Sequence, residues 1–138
     1  MSLLRKFFWT ILLTIIVFIL SVMPLTEAPE LPGFHMADKW VHFVMYGSLS
    51  TAAWMDFFRG RFSPGGICGR RGSWMTAFLW AFAYPALFGA LMEVWQEYLT
   101  TTRNGDLYDW VADFIGVLIA LPVGLLIVRP LVRRSEKK

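Results

Sequence analysis

Charge is scarce in this chain of 138 residues. Asp, Glu, Lys and Arg make up 17% of it, against about 25% in a typical soluble domain. With 57% hydrophobic residues and a mean hydropathy of +0.53, this excludes a disordered chain and argues against an ordinary soluble enzyme. Thiols are almost missing. The one cysteine, Cys68, has no internal partner, which excludes a disulfide framework. Histidine is limited to His35 and His42, and there is no HExxH and no Ser-x-x-Lys. The Gly- and Arg-rich stretch 59–73 follows no strand and carries no Lys-Ser/Thr, so it is not a phosphate-binding loop. It reads as a connector whose arginines face anionic headgroups.

Four apolar stretches are long enough to cross a bilayer, which takes roughly 20 residues per helix. They run over about 7–25, 40–58, 74–95 and 110–128. They are too long for strands and lack the alternation of period two. In lipid each backbone polar group must be paired within its own segment, so helices are predicted. The expected fold is therefore all-α: a single domain over 1–138, built as an integral membrane bundle of four transmembrane helices. Trp9, Trp40, Trp74, Trp95 and Trp110 fall near segment ends, as interfacial aromatics do. The first segment reads as a span and not as a signal peptide. Its apolar run exceeds a usual h-region, and Pro29 after Ala28 makes a poor cleavage site. Pro85 and Pro122 are expected to kink the third and fourth helices.

Basic residues set the orientation. Eleven of the 13 lie at the N-terminus, in the loop between segments two and three, or at the C-terminus. The other side keeps only Lys39 and Arg103. Both termini are thus expected in the cytoplasm, with loops 24–39 and 96–109 outside. The net charge of +3 is accounted for by orientation, and nucleic acid is not an expected partner. Carboxylates show the opposite bias. Eight of ten fall on the outer side, which the basic-residue rule does not explain.

Those carboxylates share helix faces with other polar groups. Asp38, His42 and Tyr46 are spaced i, i+4, i+8. At 1.5 Å per residue, His42 lies about 6 Å deeper than Asp38, and Tyr46 about 12 Å. Glu93, Gln96 and Glu97 share the last turns of segment three. Asp109 and Asp113 open segment four, and Gly116 and Ala120 continue that stripe as small residues that admit a close neighbour. Arg103 and Asp106 sit on the loop above. Asp38 and Asp109 also fit as caps or first-turn acids. His42 fits as an interhelical hydrogen-bonding group as well as a ligand or proton carrier. Glu93 and Asp113 resist such readings, because a carboxylate inside an apolar helix costs free energy unless it is paired, protonated or functional.

The run Asp38–Ser50 (DKWVHFVMYGSLS) resembles the Asp-Lys-x-x-His-x-x-x-Tyr signature of the VanZ-like family of small membrane proteins. The run Gly89–Gly116 (GALMEVWQEYLTTTRNGDLYDWVADFIG) resembles its second signature, carried here by Glu93, Gln96, Arg103, Asp106, Asp109, Asp113 and Gly116. Asp113 stands where that family usually has Asn, and Ala120 where it often has Gly. The resemblance covers about residues 24–120. It implies a bacterial cytoplasmic-membrane protein with a role in the cell envelope and in resistance to teicoplanin, a lipid-tailed glycopeptide.

Three functions compete on these residues. The first is a site that binds or handles an envelope lipid, a lipid-linked cell-wall intermediate or a lipoglycopeptide through Asp38, Lys39, His42, Tyr46, Glu93, Gln96, Arg103, Asp106, Asp109 and Asp113. The second is an intramembrane hydrolase or phosphotransferase using His42, Glu93 and Asp109 in acid–base chemistry. It could equally use a divalent metal held by His42, Glu93, Asp109 and Asp113; no other cofactor is expected. The third is a structural bundle locked by a buried network of Glu93, Arg103 and Asp109.

Overall fold

The computed structural model describes residues 3–23, 37–62, 74–99 and 106–135. Among them every regular element is helical. A single turn, Leu3–Lys6, precedes α1 (Phe8–Val22). Helix α2 spans Ala37–Phe62, α3 spans Trp74–Leu99 and α4 spans Leu107–Ser135. Both α3 and α4 are long and apolar enough to cross a membrane.

The helices outrun the apolar segments that announced them. Helix α2 begins before Trp40 and continues past Phe58 through Arg59 and Arg61. Helix α4 starts at Leu107, with Asp109 in its first turn, and carries Arg133 and Arg134 near its end. Acids at the N-terminus and bases at the C-terminus suit the helix dipole. Hydropathy fell off at these ends, yet helical hydrogen bonding did not. Helix α1 is shorter than expected: Met23 is extended, which stops it before position 25.

Polar groups are buried beside the apolar core, and many large apolar side chains face outward. Thr10, Ser21, His42, Ser50, Asp56, Glu93, Gln96, Asp109 and Asp113 are buried, while Ile15, Ile19, Val44, Leu87, Leu91 and Leu126 are exposed. Helix α2 is central, packing on α1, α3 and most extensively on α4. The α2–α4 contact is made by glycine. A Cβ added at Gly116 would lie 2.4 Å from the Phe43 carbonyl oxygen and 3.0 Å from the Gly47 nitrogen. At the far end of α2, Trp54, Phe57 and Phe58 form an aromatic core with Ala77, Ala81 and Val128. There the guanidinium groups of Arg61 and Arg129 both stand over Trp74, at 5.9 and 5.7 Å.

Widened turns stand ahead of two of the prolines. Each of two π-helical turns, Leu79–Ala83 and Gly124–Val128, begins six residues before a proline. The first answers Pro85 and the second Pro130, whereas Pro122 sits within regular α-helix. Each turn closes with an N–H reaching back five residues, Tyr84 to Leu79 and Arg129 to Gly124. The wider turn relieves the clash between a proline ring and the carbonyl four residues earlier. For Pro85 that carbonyl is Ala81, and proline offers it no N–H. The Ser50 hydroxyl of α2 donates to it instead. Ser50→Ala should therefore leave a buried carbonyl unpaired and cost about 1–3 kcal/mol. Denaturant titration of the detergent-purified protein measures this, and an unchanged midpoint would contradict it.

A second tie was not foreseen. Helix α1 has Phe7 at its N-cap, with no side-chain cap of its own. Asp56 of α2 supplies one: its Oδ2 accepts from both the N–H and the hydroxyl of Thr10, each at 2.8 Å. The missing Ser, Thr, Asp or Asn ahead of α1 was the available signal.

Candidate functional site

The opposite end of the bundle gathers ionisable groups from three helices. The N-terminal turns of α2 bring Asp38, Lys39, His42 and Tyr46. The last turns of α3 bring Glu93 and Gln96. The start of α4 brings Asp106, Asp109 and Asp113.

His42 is at the centre and is 3% exposed. Its Nδ1 lies 3.0 Å from Asp113 Oδ1 and 3.6 Å from Glu93 Oε1. Asp113 is fully buried and Glu93 nearly so. The imidazole lies near-parallel to the ring of buried Tyr46, with centroids 6.5 Å apart. Gly89 of α3 provides room for Asp113. A Cβ there would lie 2.9 Å from Asp113 Oδ2 and 3.2 Å from the Tyr46 ring. Glu93 Oε2 accepts the backbone N–H of Asp106 at 3.0 Å, tying the end of α3 to the start of α4. Glu93 Oε1 and Asp113 Oδ2 are buried without a hydrogen-bond partner.

A more open pair of bonds lies above. Lys39 Nζ donates to Asp106 Oδ2 at 3.0 Å and to Asp109 Oδ1 at 2.9 Å. Asp106 is the N-cap of α4, and its Oδ1 accepts the Tyr108 N–H at 2.9 Å. That backbone hydrogen bond, and then the Lys39 ammonium, hold the Asp106 carboxyl below its ordinary pKa. Asp109 is thus a first-turn acid paired with a lysine. Asp38 shares the His42 face but is exposed. Gln96 turns away from the centre, and its Nε2 donates to the Ser21 carbonyl of α1 at 3.0 Å. Arg103 lies outside the described residues, so the expected Glu93–Arg103 pairing does too.

Two triads bring possible metal-ligand atoms within 4.8 Å of one another: Asp38, His42 and Asp109, and His42, Glu93 and Asp113. No protein family, curated protein or solved structure matches this chain. Of the candidates, His42, Glu93 and Asp113 meet at one buried point; Lys39, Asp106 and Asp109 form a rim beside it; Tyr46 lies alongside His42; Gln96 ties α3 to α1.

The site is strongly acidic. Asp38, Glu93, Asp106, Asp109 and Asp113 face only Lys39 and His42 among the described residues. An anionic group entering it meets net repulsion. A cation, an amine or a neutral hydroxylated group meets acceptors.

Beside Lys39 the surface turns apolar. A groove of about 310 Å³ is lined by Lys39, Trp40, Phe43, Ala112, Ile115 and Ile119. A second groove, of about 460 Å³, shares Phe43 and Ile119 and continues along Gly47, Thr51, Ala120 and Val123.

Proposed function

We propose that this is a VanZ-like protein of the bacterial cytoplasmic membrane, and that its acidic centre binds the polar head of an envelope lipid or lipid-tailed glycopeptide. In this reading all four helices cross the bilayer. Both termini are cytoplasmic, and the His42 centre lies in the outer half. Support for the span comes from the apolar exterior and from two helices of sufficient length. Support for orientation comes from the Lys and Arg distribution. The family reading rests on the ordered polar residues of Asp38–Tyr46 and Glu93–Gly116.

The observation that carries the function is the meeting of His42, Glu93 and Asp113 at a single buried point, under a rim whose Lys39 also lines an apolar groove. Buried ionisable groups in a membrane helix are costly and mark functional sites. The groove along α2 and α4 suits one acyl chain. The acidic rim favours a head rich in amine or hydroxyl groups over a bare phosphate. An enzymatic reading draws on the same centre, since an imidazole between two carboxylates is acid–base machinery. It differs in changing the lipid, so product analysis separates the two.

The test extracts the full chain with native lipid and identifies bound species by mass spectrometry. The wild type is expected to retain a defined lipid, and Glu93→Ala to lose it along with any glycopeptide-resistance phenotype at equal expression. Unchanged lipid retention and unchanged susceptibility in that variant would remove the proposal.

A further inference from the structure

We propose that His42 Nδ1, Glu93 Oε1 and Asp113 Oδ1 form a binding site for one divalent transition-metal ion of the zinc or manganese kind.

Geometry comes first. Ligands at 2.0–2.2 Å from a tetrahedral ion stand about 3.4 Å from one another. His42 Nδ1 is 3.6 Å from Glu93 Oε1 and 3.0 Å from Asp113 Oδ1, which brackets that edge. All three residues offer atoms within 4.8 Å of one another. An ion can therefore enter by displacing the imidazole proton, with the two carboxylates closing on it.

Charge points the same way. Two carboxylates and a neutral imidazole carry two negative charges, and a divalent ion cancels both. Among the described residues, His42 is the only ion-pair partner of either carboxylate. Burying such charges without compensation is costly. The unpartnered oxygens give an independent indication. Glu93 Oε1 faces His42 with no hydrogen bond, and fully buried Asp113 keeps Oδ2 unbonded. For Glu93 the unused oxygen is the proposed ligand atom itself, and for Asp113 it is the second oxygen of the same carboxylate.

The other triad is poorer. Asp109 is already neutralised by Lys39 at 2.9 Å, and Asp38 is exposed. The donor set also selects the ion. One imidazole with carboxylate oxygens suits zinc or manganese better than soft ions that prefer sulfur. The Asp106 N–H on Glu93 Oε2 holds that ligand in place, as outer-shell groups do.

The inference does not depend on which lipid is handled, because its test uses metal alone. Tag-free full-length protein in detergent is stripped with chelator and titrated with Zn²⁺ or Mn²⁺ in equilibrium dialysis, with bound metal counted by mass spectrometry. About one ion per chain is expected. Glu93→Gln and Asp113→Asn should each weaken binding at least tenfold, since loss of an outer-shell partner alone costs roughly 10–100-fold. Asp38→Asn should leave affinity within about twofold. Saturating titration that leaves the wild type without metal overturns the proposal. So does binding that survives Asp113→Asn but not Asp38→Asn. Should the ligand variants fail to fold, zinc-edge X-ray absorption on the wild type decides alone. A nitrogen and oxygen shell with one imidazole upholds the site; a sulfur ligand or several imidazoles overturns it.

Discussion

Gly116→Leu is expected to destabilise the bundle by about 3 kcal/mol, the upper end of penalties for overpacking. Even the first carbon of a side chain at this position meets the Phe43 carbonyl oxygen at 2.4 Å. That obstacle is backbone, so it yields only if α2 and α4 separate. Alanine in place of a helical glycine normally gains about 1 kcal/mol, and here the clash outweighs that gain. Gly116→Ala is therefore expected to be destabilising as well, though less so. Gly47, its neighbour across the contact, serves as the control. A Cβ there would lie 3.3 Å from the Gly116 oxygen, so the two backbones must give by a few tenths of an ångström; that cost about offsets the gain on leaving glycine, and Gly47→Ala should be near neutral. Unfolding midpoints of the three variants in one detergent check the ordering. Equal effects at Gly47 and Gly116 would contradict the packing described.

His42→Leu should be comparably damaging for a different reason. Among the described residues the substitution removes the only ion-pair partner of Glu93 and Asp113 and leaves two carboxylates facing each other in a buried site. Breaking a buried ion pair from one side costs about 3–5 kcal/mol. Replacing all members of such a group by apolar residues is often neutral or stabilising. The triple variant His42→Leu, Glu93→Leu, Asp113→Leu is thus expected to recover most of the loss. It should also have lost the lipid and metal binding proposed above. A triple variant as unstable as the single one would mean that these side chains act by shape and not by charge.

Much of the site was legible in the sequence because helix periodicity is strict. The i, i+4 spacing of Asp38, His42 and Tyr46 does place them on one face, and His42 and Tyr46 are buried together. The same spacing could not show that Asp38 stays exposed, since a face loses its cover where the helix begins. The small residues of α4 correctly marked a close approach, and Gly116 is where it occurs. Glu93 and Asp113, which resisted ordinary readings, are both buried and both lie against His42.

What the sequence hid was pairing over distance. Nothing local tells Lys39 that its partners are Asp106 and Asp109, or Ser50 that Ala81 lacks a donor. Proline effects were likewise non-local. Pro122 drew attention for its central position, but the widened turn stands ahead of Pro130. Helix lengths were underestimated because hydropathy reports the surroundings of a helix, whereas its hydrogen bonds continue into polar termini such as Arg59 and Arg61.

The Asp56–Thr10 bond has a consequence in time. The first turn of α1 emerges from the ribosome 46 residues before the carboxylate that completes it. Until Asp56 arrives, the amide and hydroxyl of Thr10 must be hydrated or held by another acceptor. The cap of α1 is thereby completed only by the helix that follows it, and a nascent chain halted before Asp56 lacks the group that anchors its leading end.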